Sequence, residues 1–346
     1  MYTQLVSEYR FDPSENAQNA TFDLMHYGYI CVVDENSNVI FHAGDTEDMV
    51  FYRSASKPIQ ALPVFAYKLD EKFGIGEMES VILSASHVGE EMHIQAVEDI
   101  LRKGGFSEDI LCMKPTKPTS ERANEARIRD GLPLRKIYHT CSGKHTALLL
   151  IQKYLGGAPQ DYWREDAPVF KEILDTICLM AETDRVKVGV DGCGVPVFAV
   201  PMKNIAVSYK NLACTDKIQN DVVQAAADKN IARIAKYPDM ISGENYLSSV
   251  LDSDPNIIAK DGANGVLTMG LKEQRIGIAV KLVDGTQESW AFLALEILRM
   301  FGALTPEIEK KMEIFHPTYF VNDNERIVGQ RKCEFLKKGN SFVFAK

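Results

Sequence analysis

The chain has 346 residues, 45% of them hydrophobic, so it can bury a large core as one big domain or two ordinary ones. Its formal net charge is −9 and no run of lysine or arginine exceeds two residues, which argues against nucleic acid or an anionic membrane as a partner. A small neutral or zwitterionic ligand fits this charge better. The seven cysteines are odd in number and include no CxxC pair, which argues against a disulfide framework and predicts a reducing, cytoplasmic location.

Strands are predicted at both ends of the chain, with helices between them. Apolar residues 27–33 and 39–42 flank a polar turn, a pattern typical of a β-hairpin. A helix is expected over about residues 54–67, because Pro58 falls in its first turn, where the missing N–H would be unpaired anyway. Apolar residues 81–83 precede a glycine-bearing segment, which indicates a strand-to-helix junction.

The middle of the chain has the periodicity of helices. Further helices are predicted at residues 91–103, 144–154, 166–181, 215–236 and 288–302, and a charged loop at 122–135. Further strands are predicted at residues 187–190, 197–200, 265–271 and 276–283. The fold class is therefore α/β of the α+β type, a single unit in which a sheet lobe (about 20–60 and 185–346) adjoins a helical lobe (about 88–184).

Ser54 and Lys57 form the only SxxK sequence in the chain. Three residues apart on a helix they share a face, so the Lys57 amine could reach the Ser54 hydroxyl. A serine hydroxyl becomes a nucleophile when a base takes its proton, and a lysine whose pKa is lowered by burial or by other cations can be that base. A helix N-terminus beneath Ser54 would favour an oxyanion. The alternative is that Ser54 only caps the helix.

Two further segments could belong to the same site. Ser86 and His87 precede a glycine and a helix, where site residues are common, although a helix cap and a surface histidine would also explain them. In the last predicted strand Lys281 shares a face with Gly277 and Ala279, so a ligand could approach the backbone closely there. The alternative is a solvated lysine at a sheet edge.

Cysteine, histidine and lysine cluster in two glycine-containing segments. Cys141, Lys144 and His145 lie within residues 138–145, and Cys193 lies in a later turn. Thiolates are zinc ligands, so Cys141 and Cys193 with a neighbouring nitrogen could hold a metal ion across two loops. Lys144 shares a helical face with Cys141 but would have to lose a proton to bind a metal. The alternative is that both cysteines are small buried residues.

The motifs RSASKP, SHVGE, CSGKH, DGCGVP, KDGANG and IAVKLVDG occur in this order. Together they resemble the rhizobial-type (class 3) L-asparaginases, also called the asparaginase II family, over about residues 27–285. The resemblance implies a fold similar to serine β-lactamases and glutaminases, L-asparagine as substrate and a homodimer. Two positions depart from the family pattern: Asn264 stands where a glutamate is usual, and Val88 where a serine often stands. The departure at Asn264 leaves substrate preference open.

Catalytic roles follow from the resemblance at matching positions. It implies that Ser54 attacks the side-chain amide of L-asparagine and that Lys57 acts as general base and then as acid. It implies that Ser86 and Lys281 form a second Ser-Lys pair, which relays protons and keeps the neighbouring amine neutral by like-charge proximity.

Binding roles follow in the same way. The resemblance implies a zinc ion, close to the substrate, on Cys141, Lys144 and Cys193, and no organic cofactor. The expected contacts to substrate or to the metal ligands are Arg53, His87, Asp191 and His145. An arginine suits the α-carboxylate of an amino acid, and an aspartate suits its α-ammonium.

Three other functions stay open. A glutaminase acts on a substrate longer by one methylene, which a pocket discriminates by only about 1–3 kcal/mol. A β-lactamase-like hydrolase could use the same SxxK, although the chain has no KTG motif and no export signal is expected from its polar first 20 residues. The non-enzyme alternative is an inactive zinc- or amino-acid-binding protein on the same scaffold.

Overall fold

The structure is a computed structural model, and it describes residues 1–13 and 19–336. Its strands are β1 (Thr3–Arg10), β2 (Thr21–Val33), β3 (Val39–Ala43), β4 (Met49–Phe51), β5 (Lys187–Val190), β6 (Pro196–Pro201), β7 (Ile257–Gly262), β8 (Val266–Leu271), β9 (Ile276–Leu282), β10 (Tyr319–Val321) and β11 (Ile327–Cys333). Its helices are α1 (Lys57–Gln60), α2 (Leu62–Ala66), α3 (Leu69–Lys72), α4 (Glu77–Val81), α5 (Glu91–Gly104), α6 (Glu121–Arg129), α7 (Ser142–Tyr154), α8 (Pro168–Ala181), α9 (Met202–Ala213), α10 (Asp221–Lys236), α11 (Leu247–Asp252), α12 (Trp290–Met300) and α13 (Pro306–Met312).

Strands from both ends of the chain build one antiparallel sheet. Within the described residues its order is β10, β11, β1, β2, β9, β8 and β7, with β3 paired to β2 as an eighth strand. Strands β4, β6 and β5 form a separate small sheet. The predicted α/β class, with strands at both ends around a helical segment, is confirmed. Strand β1 was not predicted, and it extends the sheet to Thr3.

The large sheet is covered by helices on both faces. Ile278 and Val280 of β9 are fully buried in an apolar core that they share with α12. Ala279, between them, belongs to a second core that contains residues of α9 and most other helices. The alternation predicted for this strand is therefore confirmed, and Lys281 lies on the same face as Ala279.

Two local predictions were wrong. Residues 81–83 are helical, because α4 is followed by a 3-10 turn over Ile82–Ser84, and a short buried apolar run reads alike for helix and strand. The predicted charged loop at 122–135 begins as helix α6, which Ser120 caps by accepting a hydrogen bond from the Ala123 N–H. No α6 residue is buried, so the helix lacks the apolar stripe that would predict it.

The predicted helix at 54–67 is present in pieces. It consists of a 3-10 turn over Arg53–Ser56 followed by α1 and α2. Pro58 lies in the first turn of α1, as expected. Ser54 is thus in the turn that leads into the helix.

Candidate active site

The turn that carries Ser54 has an unusual backbone. Arg53, directly before it, has φ of 52°, a left-handed conformation that costs a residue with a Cβ about 1 kcal/mol or more. The last residue of β7, Gly262, packs against this turn, and a Cβ on it would lie 2.6 Å from the Tyr52 carbonyl oxygen. Glycine is required there because the strand must approach the turn closely. The KDGANG segment therefore supports the position of Ser54.

Lys57 is buried, 1% exposed, and its amine contacts three oxygens. Its Nζ lies 2.8 Å from the carbonyl oxygen of Ala85, 2.9 Å from Ser86 Oγ and 3.3 Å from the Thr140 carbonyl oxygen. Burial lowers the pKa of Lys57, and the charge of Lys144 lowers it further. A neutral amine would donate its two protons to the carbonyls and accept the Ser86 proton at its lone pair.

The structure thus pairs Lys57 with a serine other than the expected one. In the described part of the chain no hydrogen bond joins Lys57 to Ser54 or Lys281 to Ser86. Ser54, Ser86 and Thr140 nevertheless line the same cavity, of about 610 Å³. The fold therefore brings Ser54 and Ser86 to the same cavity, and the Lys57 amine contacts Ser86.

The CSGKH segment directly follows Thr140, which lines this cavity. Helix α7 begins at Ser142, and a Cβ on the next residue, Gly143, would lie 2.1 Å from the Ile82 carbonyl oxygen. Only glycine lets α7 pack this closely against the turn that leads to Ser86. The backbone N–H of Ser86 donates to the Ile241 carbonyl at 2.8 Å, which fixes the serine from the other side.

Lys281 lies beside this cavity, in a second one of about 420 Å³ that Arg53 and Asn264 also line. Its amine donates to the backbone carbonyl of Asn264. Burial lowers the pKa of Lys281, and the charge of Arg53 lowers it further. Asn264 has φ of 61°, a conformation that asparagine tolerates better than glutamate, so the departure from the family pattern suits the local backbone.

Arg53 and Asp191 are paired with each other. The guanidinium Nη2 lies 2.9 Å from Asp191 Oδ1, and the side chain of Asp191 is 10% exposed. The other carboxylate oxygen lies 4.0 Å from the Lys144 amine. Asp191 therefore links the DGCGVP turn to both Arg53 and the cysteine cluster.

The two histidines expected at the site are fully buried. His87 accepts the Gly89 N–H at Nδ1 (3.1 Å), so its Nε2–H donates to Ser142 Oγ, 2.7 Å away. His145 Nδ1 lies 2.6 Å from the Tyr162 hydroxyl. Burial holds the pKa of both rings well below the usual range, so both are neutral. His87 follows Ser86 and His145 follows Lys144 in the sequence, but neither histidine lines the cavity that contains Ser54 and Ser86.

Cys141, Lys144 and Cys193 converge, as the zinc prediction requires. The Lys144 amine lies 3.1 Å from Cys193 Sγ, and Cys193 lies close enough to Cys141 to shift the pKa of its thiol. The neighbouring Cys193 thiol and the nearby cations lower the pKa of Cys141. Burial alone would lower the pKa of the Lys144 amine, but the charges of the two cysteines raise it. Across residues 1–13 and 19–336 no three histidine, cysteine or carboxylate side chains are grouped for a metal. Two thiols with an amine are a donor set that fits zinc.

Lys260 and Asp261 are charged residues of the site that the sequence did not single out. Lys260 is fully buried at the end of β7, and Asp261 lines the cavity with Ser54 and Ser86. Two adjacent charged residues that end an apolar strand ahead of a glycine were the available signal. Over the two described ranges, no helix combines the length and apolar character needed to cross a membrane.

Comparisons with known proteins identify the family of the chain. A sequence model of the family described as L-asparaginase II matches residues 16–333, whereas no curated protein sequence matches the chain. A beta-lactamase from Mycobacterium bovis is similar in structure, with 13% identity, a TM-score of 0.42, and coverage of 79% of this chain and 94% of that one. A Bacillus glutaminase has 14% identity and a TM-score of 0.36, covering 80% and 91%. TM-scores this low support no inference of activity from either structure. The family model, in contrast, matches most of the sequence, and the chain therefore belongs to the L-asparaginase II family.

Proposed function

We propose that the protein is an L-asparaginase, which hydrolyses the side-chain amide of L-asparagine to L-aspartate and ammonia through an acyl-enzyme on Ser54. Membership of the family supports amidohydrolase chemistry. The observation that carries the proposal is the buried Lys57 amine, 2.9 Å from Ser86 Oγ, at the cavity that Ser54 also lines. A base of lowered pKa beside two hydroxyls is what an alcohol nucleophile needs.

In the proposed mechanism the proton of Ser54 moves to Lys57 through Ser86. Ser54 Oγ attacks the amide carbon, Ser86 takes the proton of Ser54, and Lys57 takes the proton of Ser86. The same path returns a proton to the departing nitrogen, which leaves as ammonia while the acyl-enzyme forms. Water then attacks the ester, gives up its proton along the path, and releases L-aspartate with Ser54 restored. No net proton is gained or lost by the three side chains.

Lys281 and Arg53 act from the neighbouring cavity in this proposal. Lys281 holds the carbonyl of Asn264 and so fixes the segment that follows β7. Arg53, held by Asp191, contributes positive charge next to the nucleophile. A cation nearby stabilises the oxyanion that forms when Ser54 attacks.

We also propose a zinc ion on Cys141, Lys144 and Cys193. When bound it would supply a fixed positive charge close to the cavity and tie α7 to the DGCGVP turn. Lys144 gives up its proton to take part. The proposed acyl transfer uses only the side chains of Ser54, Ser86 and Lys57.

Glutamine hydrolysis is the second candidate function. Glutamine is longer than asparagine by one methylene, which a pocket discriminates by only about 1–3 kcal/mol. Steady-state kinetics on both amides decide between the two substrates. A kcat/KM for glutamine equal to or above that for asparagine would replace the first proposal by the second.

The test of the nucleophile is ammonia release from L-asparagine by purified variants. Ser54→Ala and Lys57→Ala are expected to lose about 100-fold or more in kcat. The matched control is Ser242→Ala, which changes a serine of the same cavity and is expected to keep most of the activity.

A diazoketone analogue of asparagine identifies the attacking residue directly. Intact mass should show one adduct, and peptide mapping should place it on Ser54. An adduct on Ser86, together with a fully active Ser54→Ala, would reverse the roles of the two serines. A wild-type protein that binds asparagine without hydrolysing it would support the non-enzyme alternative.

A further inference from the structure

The cavity that Ser54 and Ser86 line contains three charged side chains, Asp261, Glu288 and Arg331. Arg331 is already paired, with Nε 3.1 Å from the Glu8 carboxylate. Glu288 is exposed to solvent. Asp261 is the half-buried carboxylate of the cavity, with 26% of its side chain exposed.

Asp261 is held by contacts that use one of its two oxygens. The Lys260 amine lies 2.8 Å from Oδ1, and Ser248 Oγ donates to the same atom. The backbone N–H of Asp261 in turn donates to Ser248 Oγ at 3.1 Å. The second oxygen, Oδ2, has no hydrogen-bond partner among residues 1–13 and 19–336.

Asp261 is also fixed relative to Ser54. It precedes Gly262, whose Cα lies so close to the Ser54 turn that an added Cβ would meet the Tyr52 carbonyl and the Ala55 nitrogen. Burial alone would raise the pKa of Asp261, but the charge and hydrogen bond of Lys260 lower it, so the carboxylate is ionised at neutral pH. A fixed, charged acceptor with a free oxygen therefore stands in the wall of the cavity.

We propose that Asp261 is a specificity-determining residue, whose Oδ2 binds the α-ammonium group of the amino-acid substrate. This inference rests on the proposed function, because it concerns the substrate of the Ser54 cavity. It replaces Asp191 as the expected ammonium ligand, since Asp191 is committed to Arg53 and does not line this cavity. The carboxylate accepts Lys260 on one oxygen and the ligand on the other.

The inference predicts selection for substrates that carry the ammonium group. Succinamate is asparagine without its α-amino group, and it has the same amide. Wild type should favour asparagine over succinamate in kcat/KM by about 10- to 100-fold, as expected for a charge-assisted hydrogen bond.

The experiment compares the two substrates in Asp261→Asn, with succinamate followed both as substrate and as competitive inhibitor. The variant should lose most of the asparagine preference, mainly through a higher KM for asparagine, while its inhibition by succinamate changes little. The matched control is Glu288→Gln, which removes a carboxylate from the same cavity and should keep the preference. If Asp261→Asn slows both substrates equally, Asp261 only positions Lys260 and the inference is wrong.

A second variant tests the inference independently if Asp261→Asn fails to fold. Asp261→Glu keeps the charge beside Lys260 but displaces the carboxylate by one methylene, and the preference should fall several-fold. An unchanged preference in this variant would also overturn the inference. A wild-type protein that hydrolyses neither compound would remove the proposed function itself, whereas normal asparagine hydrolysis with an unchanged preference removes only the role of Asp261.

Discussion

The three contacts of the Lys57 amine fix its position and still allow it to lose a proton. Two backbone carbonyls, of Ala85 and Thr140, fix its amine in either protonation state. Its third contact, to Ser86 Oγ, reverses direction when the amine loses its proton. Loss of the Lys57 proton therefore changes only the hydrogen bond to Ser86, which lies on the proposed reaction path.

The residue types of the site were predictable, but their partners were not. The SxxK spacing indicated Ser54 and Lys57, because helical neighbours follow from local geometry. The contact from Lys57 to Ser86 joins residues 29 positions apart and depends on how the helices pack. Asp261 was missed for the same reason, since its position in the cavity and its unpaired Oδ2 both depend on tertiary packing.

The cysteine cluster gives a prediction at this scale. Protein purified without chelator should contain about one zinc per chain, and Cys193→Ala should lose most of it, because a thiol, the softest donor type, is removed. Elemental analysis measures the metal directly.

Cys214→Ala, which changes another buried cysteine, is the control and should keep its zinc. Equal metal content in wild type and in Cys193→Ala would show that the three proposed ligands do not hold the ion.

At the scale of elements, close packing of glycines fixes the cavity walls. Gly143 lets α7 contact the turn at Ile82, where an added Cβ would lie 2.1 Å from a backbone oxygen. Gly143→Ala should therefore lower the free energy of unfolding by about 1–3 kcal/mol, despite the better helix propensity of alanine, because backbone has to move. Urea unfolding measures the change.

Gly192→Ala is the matched control for that substitution. Gly192 lies in the DGCGVP turn and has nothing within 4 Å of an added Cβ. Its replacement should change stability by no more than about 0.5 kcal/mol. A Gly143→Ala variant as stable as this control would contradict the role given to close packing.

Sequence patterns predicted elements well where one face is buried. The hairpin of β2 with β3 and the pair of β8 with β9 were predicted, because alternating or apolar runs ended at polar turns. Helix α6 was missed because all its residues are at least partly exposed. Strand β1 was missed because the first 20 residues are largely polar, and because one of its two neighbours in the sheet, β11, is distant in sequence.

At the scale of the whole molecule, an ionic network that is buried except at Asp284 joins the first strands to the last. His26 Nδ1 lies 2.6 Å from Asp284 Oδ2 and its Nε2 lies 3.3 Å from Glu8 Oε1. Glu8 also pairs with Arg331 of β11, which lines the cavity that contains Ser54 and Ser86. The pairing of the chain's ends is thus connected to the site.

This network predicts a pH dependence of stability. Burial alone would lower the pKa of His26, but the neighbouring carboxylates of Glu8 and Asp284 raise it above its ordinary value. The folded state therefore binds this proton more tightly, so the contribution is complete below about pH 6.5 and is lost as pH rises through the raised pKa. The His26→Gln variant should be less stable than wild type at pH 6. This difference in unfolding free energy should be smaller by about 1–2 kcal/mol at pH 9.

The control for this prediction is the same substitution at His42, whose Nδ1 lies 3.0 Å from the Gly44 carbonyl. His42→Gln should leave the pH dependence of wild type unchanged. A deficit in His26→Gln that stays constant from pH 6 to pH 9 would show that His26 does not titrate in this range.

The position of β1 between β2 and β11 also affects how the protein is made. Residues Val6 and Cys333 are opposite each other in the sheet, so the partner of the first strand is synthesised more than 300 residues later. At ordinary elongation rates the ribosome needs on the order of tens of seconds for that interval. Throughout it, one edge of β1 is open to pairing with other nascent chains. The large sheet is therefore complete only after translation of β11, and chaperones that cover a β-edge should raise the yield of folded protein.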